Sequence, residues 1–188
     1  QPDAYYDRGK AKAALLDYHG AIEDYTKAIE VIASIKDTNR DSTAEDHISE
    51  SSCYYARGKT KATLTDYQGA ILDYTKAIET DSEFLDYYYI YRGMAKAALN
   101  NHEDAIQDYN TVLNRKDILC SVGMEGYFYQ RGISKAALED YEGAIKDFTY
   151  EMGIDPLNAD AYTGRGLSKD KLQDYEGAFC RLLLLLHL

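Results

Sequence analysis

The dipeptide Arg-Gly occurs five times, at 8–9, 57–58, 92–93, 131–132 and 165–166, and each copy fixes the register of the residues after it. A Lys stands three residues after every Gly (Lys12, Lys61, Lys96, Lys135, Lys169) and a Leu six after it (Leu15, Leu64, Leu99, Leu138, Leu172). An Ala stands twelve residues after each Gly, as Ala21, Ala70, Ala105, Ala144 and Ala178. Such agreement marks a chain built by repetition, in which a unit buries its apolar face only against its neighbours. The strongest copy is DYHGAIEDYTKAIE at 17–30, which returns at 66–79 as DYQGAILDYTKAIE with twelve of fourteen residues identical.

Each copy reads as two helices, the first through Arg-Gly and the second from G-A-I or D-A-I. Two prolines and no clustered glycines in 188 residues leave helices permitted almost everywhere. Gly and Ala inside these stretches let the paired helices approach closely. Asp17, Asp66, Asp140 and Asp174 stand at the junction, where a carboxylate caps the second helix.

The intervals between the glycines are 49, 35, 39 and 34 residues. The shortest equals the period of the tetratricopeptide repeat, whose pattern carries a Gly and then an Ala four residues before an aromatic. Here these are A-I-E-D-Y (Ala21 to Tyr25) and A-I-K-D-F (Ala144 to Phe148), and an aromatic takes the family's Trp place as Tyr5, Tyr54, Tyr89, Phe128 and Tyr162. The chain resembles the tetratricopeptide-repeat family along nearly its whole length, in a bacterial style. The resemblance implies an all-α fold, a right-handed α-solenoid of about five helix-turn-helix repeats. It implies one domain over 1–188, with repeats near 2–35, 51–84, 86–119, 125–158 and 159–188 and an insertion near 36–50.

The departures from the family pattern carry their own expectations. Arg replaces the family's Leu before the Gly, Lys replaces its Tyr, and Pro156 alone supplies the repeat-ending Pro. Asp24, Asp73, Asp108 and Asp147 each lie fifteen residues past a Gly, so an Arg–Asp ion pair is expected within each of the first four repeats. The fifth has Arg181 there and is expected to lack the pair. Val31, Ile32 and Ile35 continue the helical period past Glu30 and predict a lengthened second helix. Ser42-Thr43-Ala44-Glu45 reads as a capping box that opens the third helix early, leaving 37–41 as the loop. Five extra residues around 116–126 read as loop variation. The tail RLLLLLHL, 181–188, is apolar where solenoid ends are usually polar. It is read as the cut end of a longer array, or else as the contact of a homo-oligomer.

A net charge of −11, without clustered Lys or Arg, argues against nucleic acid and against anionic membranes as partners. Cys53, Cys120 and Cys180 are scattered and form neither a zinc pattern nor a disulfide framework. His19, His47, His102 and His187 are scattered too, and no H-E-x-x-H, G-x-S-x-G, Walker or G-x-G-x-x-G motif occurs. The reading is therefore non-catalytic, with no metal and no cofactor. The chain starts at Gln1, which leaves two compartments open: the cytoplasm, or an exported location if a signal peptide has been removed.

The resemblance places partner binding on the concave face, lined by positions six and three before each Gly and one, four and five after it. Here the set includes Tyr6, Lys10 and Ala13; Tyr55 and Lys59; Tyr87, Ile90 and Met94; Tyr129 and Ile133; and Thr163 and Leu167. Tyr6, Tyr55 and Tyr129 form either an aromatic ladder for a ligand or packing between neighbouring helices. Lys10 and Lys59 give way to Met94, Ile133 and Leu167, which suits a protein or peptide ligand acidic at one end and apolar further along. The family's carboxylate clamp for chaperone tails is not matched: Tyr6, Ala56, Tyr87 and Tyr91 stand where its Asn, Lys and Arg are required.

Overall fold

The computed structural model describes residues 1–37, 48–81, 83–114 and 126–172. Every regular element among them is an α-helix: α1 (Pro2–Ala14), α2 (Tyr18–Asp37), α3 (Glu50–Thr63), α4 (Tyr67–Thr80), α5 (Leu85–Ala98), α6 (His102–Asn114), α7 (Tyr127–Ala137), α8 (Tyr141–Ile154) and α9 (Ala159–Lys171). The fold class is the all-α helical-repeat solenoid. Two compact units divide the chain, residues 1–99 with α1 to α5 and residues 100–188 with α6 to α9. Within the first, α1 packs on α2, α2 on α3, α3 on α4 and α4 on α5. Within the second, α6 packs on α7, α7 on α8 and α8 on α9.

The junction inside a helix pair is built from one short motif. Lys12 and Ala13 carbonyls accept from the backbone N–H groups of Asp17 and Leu16 at 2.9 and 3.0 Å, which is a Schellman closure of α1. Lys61, Ala62, Thr65 and Asp66 repeat it after α3, and Lys135, Ala136, Glu139 and Asp140 after α7. Leu16, Thr65, Asn100 and Glu139 hold the left-handed position, with φ of 65°, 63°, 60° and 62°. The next residue then caps the following helix: Gly20, Gly69 and Gly143 donate their N–H to Asp17, Asp66 and Asp140 at 3.0, 2.9 and 2.9 Å. The caps expected at Asp17, Asp66 and Asp140 are thus present, and Asp174 lies outside the described residues.

The repeated Gly is a packing requirement. A Cβ on Gly9 would stand 2.7 Å from the Tyr25 ring, and one on Gly132 would stand 2.8 Å from Phe148. The buried residues behind these contacts are Ala21, Tyr25 and Ala28 in α2 and Ala144 and Phe148 in α8, and the matching positions Ala70, Tyr74 and Ala77 in α4 and Ala105, Tyr109 and Val112 in α6 are buried as well.

The second helix is lengthened as the periodicity predicts, since α2 runs on to Asp37 and buries Ile29 and Ile32 against Cys53, with Tyr5, Ile48 and Tyr54 around them. The early opening of the third helix is corrected. α3 begins at Glu50, and its cap is Ser49, whose side chain accepts from Ser52 N–H at 3.2 Å. Asp3 fixes the approach by accepting the Ile48 N–H at 2.8 Å, and Ser49 itself is extended. Ser42 to Glu45, the extra residues before Gly126, and the Leu-rich tail lie outside the described residues. No helix among the described residues is long and apolar enough to cross a membrane.

Candidate functional site

The first helix of a pair has a structural face and another that carries the candidate partner-binding residues. On the structural face Arg8 grips Asp24 with two bonds, Nε to Oδ2 at 2.7 Å and Nη2 to Oδ1 at 2.5 Å. Arg57 holds Asp73 in the same fork at 2.9 and 2.7 Å, and Arg131 holds Asp147 at 2.7 and 2.5 Å. The three expected pairs that fall within a single unit are therefore formed; Arg92 and Asp108 belong to different units, and residue 181 is outside the described ones.

Sequence reasoning missed the repeated Lys. Lys12, Lys61 and Lys135 join the same carboxylates at 3.0, 2.8 and 2.9 Å. The signal was available, because Arg and Lys four residues apart share one helical face. The aromatic at the Trp place also has a defined role: each Arg rides on the ring three residues before it. The distances are 5.4 Å for Arg8 on Tyr5 and Arg57 on Tyr54, 5.1 Å for Arg92 on Tyr89, 5.6 Å for Arg131 on Phe128 and 5.8 Å for Arg165 on Tyr162. These are cation–π contacts. Finally, Nη1 of Arg57, Arg92 and Arg131 donates to Thr26, Thr75 and Asn110 of the preceding second helix at 3.0, 3.1 and 2.9 Å. One guanidinium thus ties its own repeat together and joins it to the repeat before. The Arg8 guanidinium bonded to Asp24 holds that carboxyl down to about 2, with burial opposing and Lys12 assisting.

The candidate partner-binding residues occupy the other side of these helices. In the first unit Tyr6 is half-buried, 5.7 Å from the Tyr25 ring, and Lys10 Nζ sits 5.6 Å above Tyr6. Tyr55 meets Tyr91, Tyr88 and Tyr74 at 5.3, 5.6 and 6.1 Å, and burial pushes its phenol up. Lys59 Nζ lies 5.8 Å from the Tyr91 ring. Ala13 and Ile90 are half-buried, while Lys10, Lys59, Tyr87 and Met94 are exposed. In the second unit Tyr129 packs 5.9 Å from Phe148, and Ile133, Thr163 and Leu167 are exposed. The tyrosines three before each Gly are therefore ring-packed inside their units, and the accessible chemistry lies with the lysines, Tyr87 and the aliphatic positions.

Two further supports were not read from the sequence. Tyr88 and Ser51 donate to Asp81 at 2.8 and 3.0 Å, and the run YYYIY at 87–91 was the available sign of an aromatic centre there. Glu151, fully buried where other repeats have Ala28, Ala77 and Val112, accepts the N–H groups of Gly126 and Tyr129 at 2.6 and 3.3 Å. It anchors the start of α7 and with it Tyr129. No group of three or more His, Cys, Asp or Glu able to hold a metal occurs among the described residues.

The tetratricopeptide-repeat family model matches residues 2–34 and 51–84. No curated protein matches the sequence. Among solved structures, a tetratricopeptide repeat protein from Parabacteroides merdae is 17% identical with a TM-score of 0.75, covering 98% of this chain and 66% of that one. YrrB, described as a TPR protein with an unusual peptide-binding site, is 20% identical with a TM-score of 0.68, covering 93% and 79%. The first TPR of Spaghetti (RPAP3), bound to the HSP90 peptide SRMEEVD, is 21% identical with a TM-score of 0.59, covering 65% and 93%. The repeated helix pair, with its buried Ala and aromatic positions, has the tetratricopeptide-repeat fold, and residues 2–34 and 51–84 match that family's model.

Proposed function

We propose that the chain is a non-catalytic interaction scaffold whose first helices bind a peptide segment of a partner protein. The observation that carries this reading is that face of the first unit, where Lys10 and Lys59 are exposed in the same register and each lies over a tyrosine ring. Tyr87 and Met94 continue the accessible surface with apolar area. A segment with carboxylates opposite the lysines and aliphatic side chains opposite Tyr87 and Met94 matches this order of chemistry. Two proteins of the same fold, YrrB and the Spaghetti repeat, are described with peptides, which supports the class of ligand.

The test is fluorescence anisotropy with a panel of labelled peptides, acidic at one end and aliphatic at the other, against the wild type and Lys10→Glu/Lys59→Glu. Both side chains are exposed, so the variant keeps its helix content. Affinity is expected to fall at least about tenfold, with a weaker salt dependence. A panel that binds both proteins equally, or neither, overturns the groove assignment. Tyr87→Ala provides the apolar arm, and an unchanged affinity there removes Tyr87 from the site.

A further inference from the structure

Tyr91 stands at a place that the repeat itself leaves open. Two residues before the Gly, the other first helices carry Asp7, Ala56, Gln130 and Gly164, so the packing of a helix pair does not call for a large ring there. The Tyr91 ring is nevertheless held. It is half-buried, meets Tyr55 edge-on at 5.3 Å and lies 6.0 Å from Tyr74. Lys59 Nζ sits over it at 5.8 Å.

The two lysines of this face are therefore steadied in different ways. Lys10 uses a ring of its own helix, Tyr6, one turn earlier, at 5.6 Å. Lys59 reaches instead to a ring of the next first helix, α5. Its charge is carried onto the face of α5 where Tyr87, Tyr91 and Met94 follow one another at helical spacing. Tyr87 and Met94 are 48% and 36% exposed. Neighbours at this spacing are about 5–6 Å apart at Cβ, so the ammonium stands within about 10 Å of both. An extended segment advances about 3.3 Å per residue, so a carboxylate on Lys59 and an aliphatic side chain on Tyr87 or Met94 come from residues about three apart at most.

We propose that Tyr91 is a positioning residue of this face: it draws the Lys59 ammonium onto α5 beside Tyr87 and Met94, and so sets the spacing of side chains that a partner segment must present. This inference rests on the peptide-binding reading above and narrows it. The segment recognised carries a side-chain carboxylate and an aliphatic side chain close together in sequence. An acidic stretch separated from its apolar residues is passed over.

Two blocked, labelled peptides of one composition provide the test. In one an acidic Glu block abuts a Leu block, and in the other a Gly-Ser spacer separates them; each is made in both orders, so that chain direction is not assumed. By fluorescence anisotropy the wild type is expected to bind the abutting blocks at least about tenfold more tightly. Tyr91→Leu should lose that preference, and Tyr91→Phe should keep it, since a phenyl face still holds the ammonium. Lys59→Met should lose it too, and adding Tyr91→Leu to Lys59→Met should change nothing further. In the free chain the Lys59 ε-methylene protons should be shifted upfield by the ring, unchanged in Tyr91→Phe and released in Tyr91→Leu. Equal affinity of the wild type for both peptides, an unshifted Lys59 methylene, or a Tyr91→Leu effect that persists without the lysine overturns the proposal. Equal binding of both leaves the peptide-binding reading standing, whereas binding of neither overturns that reading and this inference with it.

Discussion

Replacing Asp147 by Asn should be far more costly than making the same change at Asp24, although the two residues occupy the same place in the repeat. Asp147 accepts two bonds from Arg131 and one from Lys135, and the side chains of Arg131 and Asp147 are 9% and 2% exposed. Removing the carboxylate leaves a buried guanidinium without its counter-charge, a loss of about 3–5 kcal/mol. Asp24 is buried too, but the Arg8 side chain is 57% exposed and turns into water when its partner is lost. The change there should cost about 1 kcal/mol. Asp73 falls between, since Arg57 is 16% exposed. Because the chain forms two compact units, a single global melting curve mixes their responses. Native-state hydrogen exchange read separately on α1–α2, α3–α4 and α7–α8 resolves them. A difference of about 2 kcal/mol between the first and last pairs corresponds to about thirtyfold in local protection. Equal losses at all three positions, or an Asp147→Asn variant as protected as the wild type, would refute the argument that burial of the Arg sets the cost.

Other outcomes rest on packing and titration. Gly132→Ala should destabilise by about 1–3 kcal/mol, because its Cβ meets a fixed, buried Phe148 ring. Gly153→Ala, with nothing within 4 Å of the new Cβ, should stabilise α8 by up to about 1 kcal/mol, and thermal melting distinguishes the two signs. Thr65→Gly should stabilise by about 1 kcal/mol in urea unfolding, because a β-branched residue now holds φ of 63°. Asp24 has a folded pKa of about 2 against an ordinary value of 3.8, so its stabilisation is complete above that ordinary value and is lost as pH falls towards 2. Acid unfolding followed on α1–α2 should flatten in that window for Asp24→Asn and for no variant outside the pair.

The helix pairs, their caps and the Arg–Asp fork were legible because each rests on local spacing repeated in register. Fifteen residues from Gly to Asp is enough to bring Arg57 and Asp73 together once the two helices fold back. The Lys in the same cluster was equally visible, but its spacing was read as a departure from the family's Tyr rather than as a second cation on the Arg face. The candidate face was harder, because exposure depends on what neighbouring helices cover. Tyr55 and Tyr87 hold related register positions, yet Tyr55 lies among three other rings and Tyr87 is 48% exposed. No local spacing distinguishes them. Glu151 was hidden for the opposite reason: besides Asn158, its partners are the N–H groups of Gly126 and Tyr129, more than twenty residues earlier in the chain.

The shared aspartate between paired helices also governs how such a chain can change length. Asp17, Asp66 and Asp140 each close the helix before them through backbone N–H and begin the helix after them through the carboxylate. An inserted residue on either side would separate these two duties, leaving one helix end open. The count from Gly to this junction is accordingly eight residues in all three, while the distance from one Gly to the next ranges from 34 to 49. Growth falls after this junction, at the far end of the second helix, as in α2, and in the segments that join one pair to the next. The pair is the indivisible unit of inheritance in this molecule, and its connectors are where new sequence can be admitted without dismantling a helix.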